Sequence, residues 1–197
     1  MNSKLFYSFL FVLLSSVVVS GQFNDYVKLT DFNLEFGGNY STFSQEQMFL
    51  DSYGLGFYFG AGYGITNEIM ITASVDYSYI SEPILPITTT DFGVRYNFTN
   101  LAEGLIPYAT VTYTIAGPVE SNRFEQVPND WSQIDAKGIS FGGGLLLMLD
   151  GSKAFNIMVL LSSLPNADYD GGDYGNAQTF DDNFGSTRIK ISYLLGF

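Results

Sequence analysis

The chain has 197 residues, of which 17% are aromatic and only 14% are charged, and its formal net charge is -12. Soluble proteins carry about a quarter charged residues, so this low fraction, with 14 tyrosines, 18 phenylalanines and 21 glycines, predicts β-structure in an apolar environment. The absence of cysteine and histidine excludes disulfides, thiolate or imidazole metal sites and histidine-dependent catalysis.

The N-terminal segment predicts export. Lys4 supplies a positive charge, residues 5–19 are almost entirely apolar, and two small residues follow, which is the order of a secretory signal peptide. The apolar run falls short of the ~20 residues that a membrane-spanning helix needs. We therefore expect residues 1–21 to be a cleaved signal peptide and residues 22–197 to form one mature domain.

Eight downstream segments alternate between large apolar side chains and small or polar ones. The clearest is Tyr53–Ile65, where glycine occupies five positions of one face. A period of two is typical of a strand with unlike faces, and each segment is close to the ~9–11 residues that a tilted strand needs to cross a bilayer. The predicted strands are Asp31–Ser41, Tyr53–Ile65, Ile69–Tyr79, Thr88–Phe98, Leu105–Ile115, Gly138–Leu149, Ala154–Ser162 and Ser186–Phe197.

The predicted connections alternate in length. Short turns follow the second, fourth and sixth strands, and polar or proline-containing loops follow the others. The long connections are predicted at residues 42–52, 80–87, 116–137 and 163–184. Short periplasmic turns and longer extracellular loops are typical of transmembrane barrels. The sequence therefore predicts an all-β fold, an eight-stranded antiparallel up-and-down transmembrane β-barrel with both termini on the periplasmic side.

Alternation alone fits two barrels, a membrane barrel with its apolar face outside and a soluble ligand carrier with its apolar face inside. The charged residues within the strands decide between them because all share the sparse face. A cation facing lipid at midplane costs ~2–4 kcal/mol, so we expect the apolar face to contact lipid and the charges to form a neutral, paired lumenal network. Its predicted members are Glu35, Asp76, Asp91, Arg95, Arg188 and Lys190.

Two short motifs carry a resemblance to a known family. The chain ends Ile-Lys-Ile-Ser-Tyr-Leu-Leu-Gly-Phe, and Leu105-Ile106-Pro107-Tyr108 opens the fifth strand. With these motifs, residues 31–197 resemble the small outer-membrane β-barrel proteins, such as the OmpA membrane domain and OmpX. The resemblance implies a bacterial outer-membrane protein whose Tyr193, Leu195 and Phe197 are a signal for the barrel-assembly machinery during biogenesis.

The remaining chemistry rests on carboxylates. Glu35, Asp76 and Asp91 could serve acid–base catalysis, but three matching cations favour a structural network, so we predict no catalytic residues, no enzyme activity and no cofactor. The Asp-rich segment near residue 170 resembles a Ca²⁺ loop without its full spacing or its terminal glutamate. Its Asp168, Asp170 and Asp173 could hold a divalent cation weakly, against the alternative of a solvated acidic loop.

Acidic residues far outnumber basic ones in the four predicted outer loops. Such a surface repels nucleic acid and favours cations or basic partners. The leading hypothesis is a non-enzymatic integral outer-membrane barrel with a structural or surface-interaction role, in contact with outer-membrane lipid. The alternatives are a passive pore for small solutes and an accessory subunit of an outer-membrane secretion or assembly complex.

Overall fold

The computed structural model describes residues 29–45, 50–81, 84–99, 104–118, 134–150, 152–164, 168–169 and 184–196. The signal peptide predicted at residues 1–21 lies outside the described residues. The strands are β1 (Asp31–Gln45), β2 (Leu50–Gly64), β3 (Ile69–Ser81), β4 (Ile84–Asn97), β5 (Leu105–Pro118), β6 (Ile134–Met148), β7 (Lys153–Leu164), β8 (Asp168–Tyr169) and β9 (Phe184–Gly196).

Eight of these strands form a closed antiparallel barrel. Each of β1 to β7 pairs with its neighbour in sequence, β7 pairs with β9, and β9 returns to pair with β1. The two-residue β8 stands outside this ring and pairs only with Ile134 and Asp135 of β6. The predicted eight-stranded up-and-down barrel is confirmed. Within the described ranges, no helix is long and apolar enough to span a membrane.

The two faces of the wall differ as the alternation predicted. In β7, exposed and buried side chains alternate without interruption from Lys153 to Leu164. Large apolar side chains point outward, with Phe57 77% exposed, whereas Arg188 and Lys190 are 0% exposed and point into the lumen. The wall is therefore apolar outside and rich in buried polar groups inside.

Short turns and both described chain ends lie at one end of the barrel, which we call the turn end. Asp150 closes the β6–β7 turn, because its Oδ1 accepts hydrogen bonds from the backbone N–H groups of Ser152 and Lys153 at 2.9 and 2.8 Å. These bonds, that from Ser152 foremost, hold the pKa of Asp150 below its ordinary value. The Gly196 N–H donates to the Ser152 carbonyl at 2.6 Å, which fixes the end of β9 at this turn.

At the opposite end, the bounds predicted for the loops at 42–52 and 80–87 are wrong, because the flanking strands are longer than predicted. β1 continues to Gln45 and β2 begins at Leu50, while β3 ends at Ser81 and β4 begins at Ile84. Polar residues suggest loops there, but backbone pairing extends to Gln45 with Leu50 and to Ser81 with Ile84. Pro86 is tolerated inside β4 because β5 pairs with β4 only from Ile87 onward, so its missing N–H costs no ladder bond on that side.

The close approach of β1 to β9 gives a testable difference between adjacent glycines. A Cβ at Gly37 would lie 2.0 Å from the backbone oxygen of Ile191, whereas one at Gly38 would meet its nearest neighbour, the Gly56 oxygen, at 3.6 Å. We expect Gly37→Ala to lower the free energy of unfolding by ~1–3 kcal/mol through overpacking. Gly38→Ala should change it by no more than ~0.5 kcal/mol, as at a surface position.

Urea unfolding of the two variants in the same detergent checks this prediction. Equal unfolding midpoints for Gly37→Ala and Gly38→Ala would show that β1 and β9 can separate without cost at this point.

Candidate functional site: the lumen of the barrel

Apolar side chains close the turn end of the lumen. Leu29, just before β1, is 0% exposed, and its N–H donates to Asn67 Oδ1 at 3.1 Å. A positive φ of 74° at Asp31 turns the chain between Leu29 and the strand. We call this apolar group the turn-end plug. It consists of Leu29, Tyr58, Met70, Ile106, Tyr108, Leu146, Met148, Ala154, Met158 and Leu194.

The first ion pair of the lumen joins Glu35 and Arg95, which we call the inner pair. Arg95 Nη2 lies 3.1 Å from Glu35 Oε2, and the Tyr58 hydroxyl donates to that oxygen at 3.1 Å. The other oxygen, Oε1, accepts from Ser192 Oγ at 2.6 Å and from Asn156 Nδ2. A carboxylate has about four lone-pair sites, so Glu35 is saturated.

Arg95 is held differently from Glu35. Its guanidinium lies over the Tyr108 ring, 4.3 Å from the centroid, while the Tyr108 hydroxyl donates to Asn156 Oδ1 at 2.8 Å. Arg95 Nε and Nη1 have no hydrogen-bond partner among the described residues. Glu35 and the aromatic ring therefore account for the favourable contacts of this cation.

A second group of charges contains two cations and two carboxylates, and we call it the outer cluster. Arg188 Nη1 lies 2.8 Å from Asp76 Oδ2 and 2.7 Å from Asp91 Oδ2. Lys190 Nζ contacts the same two oxygens at 2.6 and 3.2 Å. Each cation thus bridges both aspartates, and the cluster is neutral as a whole.

Hydroxyl and amide groups extend the outer cluster around the wall. Thr114 donates to Asp91 Oδ1 at 2.6 Å, Asn39 donates to Asp76 Oδ1 at 3.2 Å, and Arg188 Nη2 donates to Ser162 at 3.2 Å. Ser140 bonds both Thr114 and Ser162, and Lys190 lies over the Tyr58 ring at 4.4 Å. All eight wall strands therefore contribute a side chain to one connected polar layer.

Space beside the lumenal glycines is filled. A Cβ at Gly60 would lie 2.7 Å from the Tyr58 hydroxyl, and a Cβ at Gly144 would lie 2.5 Å from the Tyr108 hydroxyl. Gly60 of β2 and Gly144 of β6 thus accommodate the two tyrosine side chains that contact the inner pair. They do not line a passage at these positions.

The structure thus brings all six charged residues of the predicted lumenal network into two neutral groups. Tyr193 and Leu195 lie on the outward-facing side of β9, and the Tyr193 ring contacts Phe36 and Phe155 with centroids 5.9 and 5.4 Å apart. Phe197, Asp170 and Asp173 lie outside the described residues, and only the backbone of Asp168 is described. In the part of the chain that the structure describes, no cluster of three carboxylate, histidine or cysteine residues could hold a metal.

Sequence reasoning missed the neutral partners of this network. Tyr58, Asn156 and Ser192 complete the coordination of Glu35, and Thr114 and Ser162 complete that of the outer cluster. The available signal was strand phase, because each of them shares the inward face of its strand. The alternation of a strand alone does not give the level along the barrel axis at which its inward side chains meet those of other strands.

No protein-family model matches the sequence, and no curated protein matches it. Among solved structures, Neisserial surface protein A superposes with a TM-score of 0.64 at 12% identity, covering 84% of this chain and 97% of that one. The chain has the fold of the small outer-membrane β-barrels. OprG from Pseudomonas aeruginosa gives a TM-score of 0.52 at 12% identity, covering 87% of this chain and 98% of that one. At these identities the likeness to small outer-membrane β-barrels concerns the fold.

The geometry of the lumenal carboxylates favours a structural role over a catalytic one. Asp91 accepts hydrogen bonds from Arg188, Lys190, Thr114 and Ser74, and Glu35 uses both of its oxygens as described. General base catalysis requires an oxygen within hydrogen-bond reach of a substrate proton. The oxygens of both carboxylates are engaged by neighbouring side chains instead.

Proposed function

We propose that this chain is a non-enzymatic integral protein of the bacterial outer membrane whose lumen is closed and whose long connections present a surface for interaction. One observation carries the proposal: an apolar exterior surrounds a lumen filled by the turn-end plug, the inner pair and the outer cluster. A closed barrel of this kind serves as a membrane anchor for its extracellular segments.

The outer wall supports the membrane assignment. Thirty large apolar or aromatic side chains of the described residues are exposed, whereas soluble monomers rarely expose contiguous apolar patches larger than a few hundred Å². Lys137 and Lys153, two cations on the outside of the described wall, lie at opposite ends of the barrel in β6 and β7. Near the interfaces a lipid-facing cation costs only ~0–1 kcal/mol.

The proposed orientation places the turn end in the periplasm. Residues 1–21 would direct export and be removed, and the assembly machinery would read Tyr193, Leu195 and Phe197 on the last strand. Outer-membrane lipid would surround the barrel. The segments between β5 and β6 and between β7 and β9 would then be extracellular.

These two extracellular segments form the proposed interaction surface. They leave the same end of the barrel, and the backbone pairing of β8 with Ile134 and Asp135 joins the second segment to the end of the first. Their sequences are acidic and contain the single tryptophan, Trp131. We propose that they bind cations or basic partners, with Asp168, Asp170 and Asp173 as a weak divalent-cation site.

Planar-bilayer recordings test the closed lumen. We expect purified, folded protein to insert without conductance steps, because the inner pair and outer cluster are neutral, buried and packed against tyrosines. A large general porin in the same bilayer is the positive control, and heat-modifiable electrophoretic migration shows that the sample is folded. Reproducible conductance steps from the pure protein would replace this proposal with the passive pore.

A further inference from the structure

When the barrel closes, more than one register of β9 against β1 is compatible with backbone pairing. β9 is the last of the described strands and closes the barrel by pairing with β1, with Ser41 opposite Arg188 and Asn39 opposite Lys190. A slip of β9 by two residues keeps every side chain on its own face and every strand pair antiparallel. Something beyond the alternation must select the observed register.

The contacts of Arg188 and Lys190 depend on the position of β9 relative to strands with which β9 does not pair. β9 has β1 and β7 as neighbours, yet both cations contact Asp76 of β3 and Asp91 of β4 at 2.6 to 3.2 Å. These contacts cross the lumen. All four side chains are at most 3% exposed, so water cannot substitute for a lost partner.

A slip changes the charge of both lumenal groups. Two residues correspond to about 6.7 Å along a strand. In one direction, Ser192 replaces Lys190 beside the aspartates and the outer cluster loses a cation. In the other direction, Arg188 takes the position of Lys190, and Lys190 moves to the level of the inner pair. Each slip leaves a buried charge without its partner, which is strongly unfavourable in a site that excludes water.

We propose that Arg188 and Lys190 select the register at which β9 closes onto β1. Buried ionic groups do not reliably add stability over well-packed apolar groups, and fixing a register is their best-attested use. The charge pair therefore acts in assembly, by making the observed closure the neutral one.

Disulfide reporters measure the register directly, because the chain has no cysteine of its own. Thr42 and Thr187 are opposite each other on the outward face, so Thr42→Cys with Thr187→Cys reports the observed register. Thr42→Cys with Ile189→Cys, or with Gly185→Cys, reports a slip of two in either direction. A slip of two preserves the hydrogen-bonding type of the pair, so the three reporters are chemically matched. The full chain is assembled in cells and oxidised in isolated outer membranes, and non-reducing gels give each yield.

With the native lumen we expect cross-linking by the Thr187 reporter alone. In the neutral-lumen variant, which carries Asp76→Asn, Asp91→Asn, Arg188→Met and Lys190→Met, the outer cluster has no charge that a slip of β9 could leave unpaired. In this background the slipped reporters should gain at least about tenfold in yield, the change expected when ~1.4 kcal/mol of preference is lost. A folded neutral barrel that cross-links only at Thr187 overturns the proposal.

A second variant redirects the register and keeps every charge. Ser186→Arg, Arg188→Lys and Lys190→Ser together move the two cations by two positions along β9. The cations then face both aspartates only when Gly185 lies opposite Thr42, so the Gly185 reporter should become the main cross-link. If this variant still closes with Thr187 opposite Thr42, the cations do not select the register, whatever the neutral lumen does.

Discussion

Replacing Arg188 with alanine is expected to lower the free energy of unfolding by ~3–5 kcal/mol, the range for breaking a buried ion pair by removing one partner. Asp76 and Asp91 would then share Lys190 as their remaining cation in the outer cluster, and Ser162 would lose the donor that lies 3.2 Å away. The residues that lose these contacts are almost fully buried, so water does not replace the missing partner. We expect the variant to insert, because the apolar exterior is unchanged.

The matched control is the exposed ion pair at the turn end. Lys153 Nζ lies 3.0 Å from Asp150 Oδ2, and both side chains are 46% exposed. Lys153→Ala should cost no more than ~1 kcal/mol, as exposed pairs generally do. Urea titrations in one detergent, followed by heat-modifiable migration, compare the two. Equal midpoints for Arg188→Ala and Lys153→Ala would mean that the outer cluster is hydrated or unpaired in the protein.

Much of the barrel could be predicted because a transmembrane wall imposes one constraint on every strand. Charge is strongly disfavoured on the lipid face near the bilayer midplane, so the phase of a charged residue in the middle of a strand indicates which face is inside. Applied to Asp91 and Arg188, this reasoning placed both side chains on the inward face before any contact was known. The constraint acts locally, residue by residue, and a sequence displays it directly.

The height at which inward residues meet could not be predicted in the same way. It depends on the stagger of the strands around the barrel, which follows from pairing register and not from alternation. That is why the sequence did not separate the inner pair from the outer cluster or assign Tyr58 to Glu35. The wrong bounds of the two loops share this origin, because the strands continue in register beyond the apolar band.

Leu194 shows that an inward-facing position of a strand can be apolar. It breaks the polar phase of β9, yet it is 1% exposed and belongs to the turn-end plug. Leu160 and Met158 are likewise apolar and buried on the inward face of β7. Apolar residues on the inward face mark positions where the lumen is packed rather than hydrated, so the inward phase of a small barrel is not uniformly polar.

Replacing Glu35 with alanine should cost ~3–5 kcal/mol, because Arg95 stays buried without its counter-charge. Tyr58, Ser192 and Asn156 lose their common acceptor at the same time. Arg95 has few other contacts to compensate, since its Nε and Nη1 lack partners among the described residues. Detergent-solubilised protein and urea midpoints give the measurement, as for Arg188.

A double substitution separates loss of the ion pair from loss of charge itself. Arg95→Met alone should also cost ~3–5 kcal/mol by leaving Glu35 unpaired, whereas Glu35→Gln with Arg95→Met removes both charges and keeps side-chain volume and an acceptor for Tyr58. Volume-conserving replacement of a whole buried pair is often neutral or stabilising, so the double variant should be clearly more stable than Arg95→Met. Interacting neighbours show coupling energies of ~0.5–3 kcal/mol. A double variant no more stable than Arg95→Met would mean that Glu35 and Arg95 do not depend on each other, and the lumen would then owe its closure to packing around Tyr58 and Tyr108.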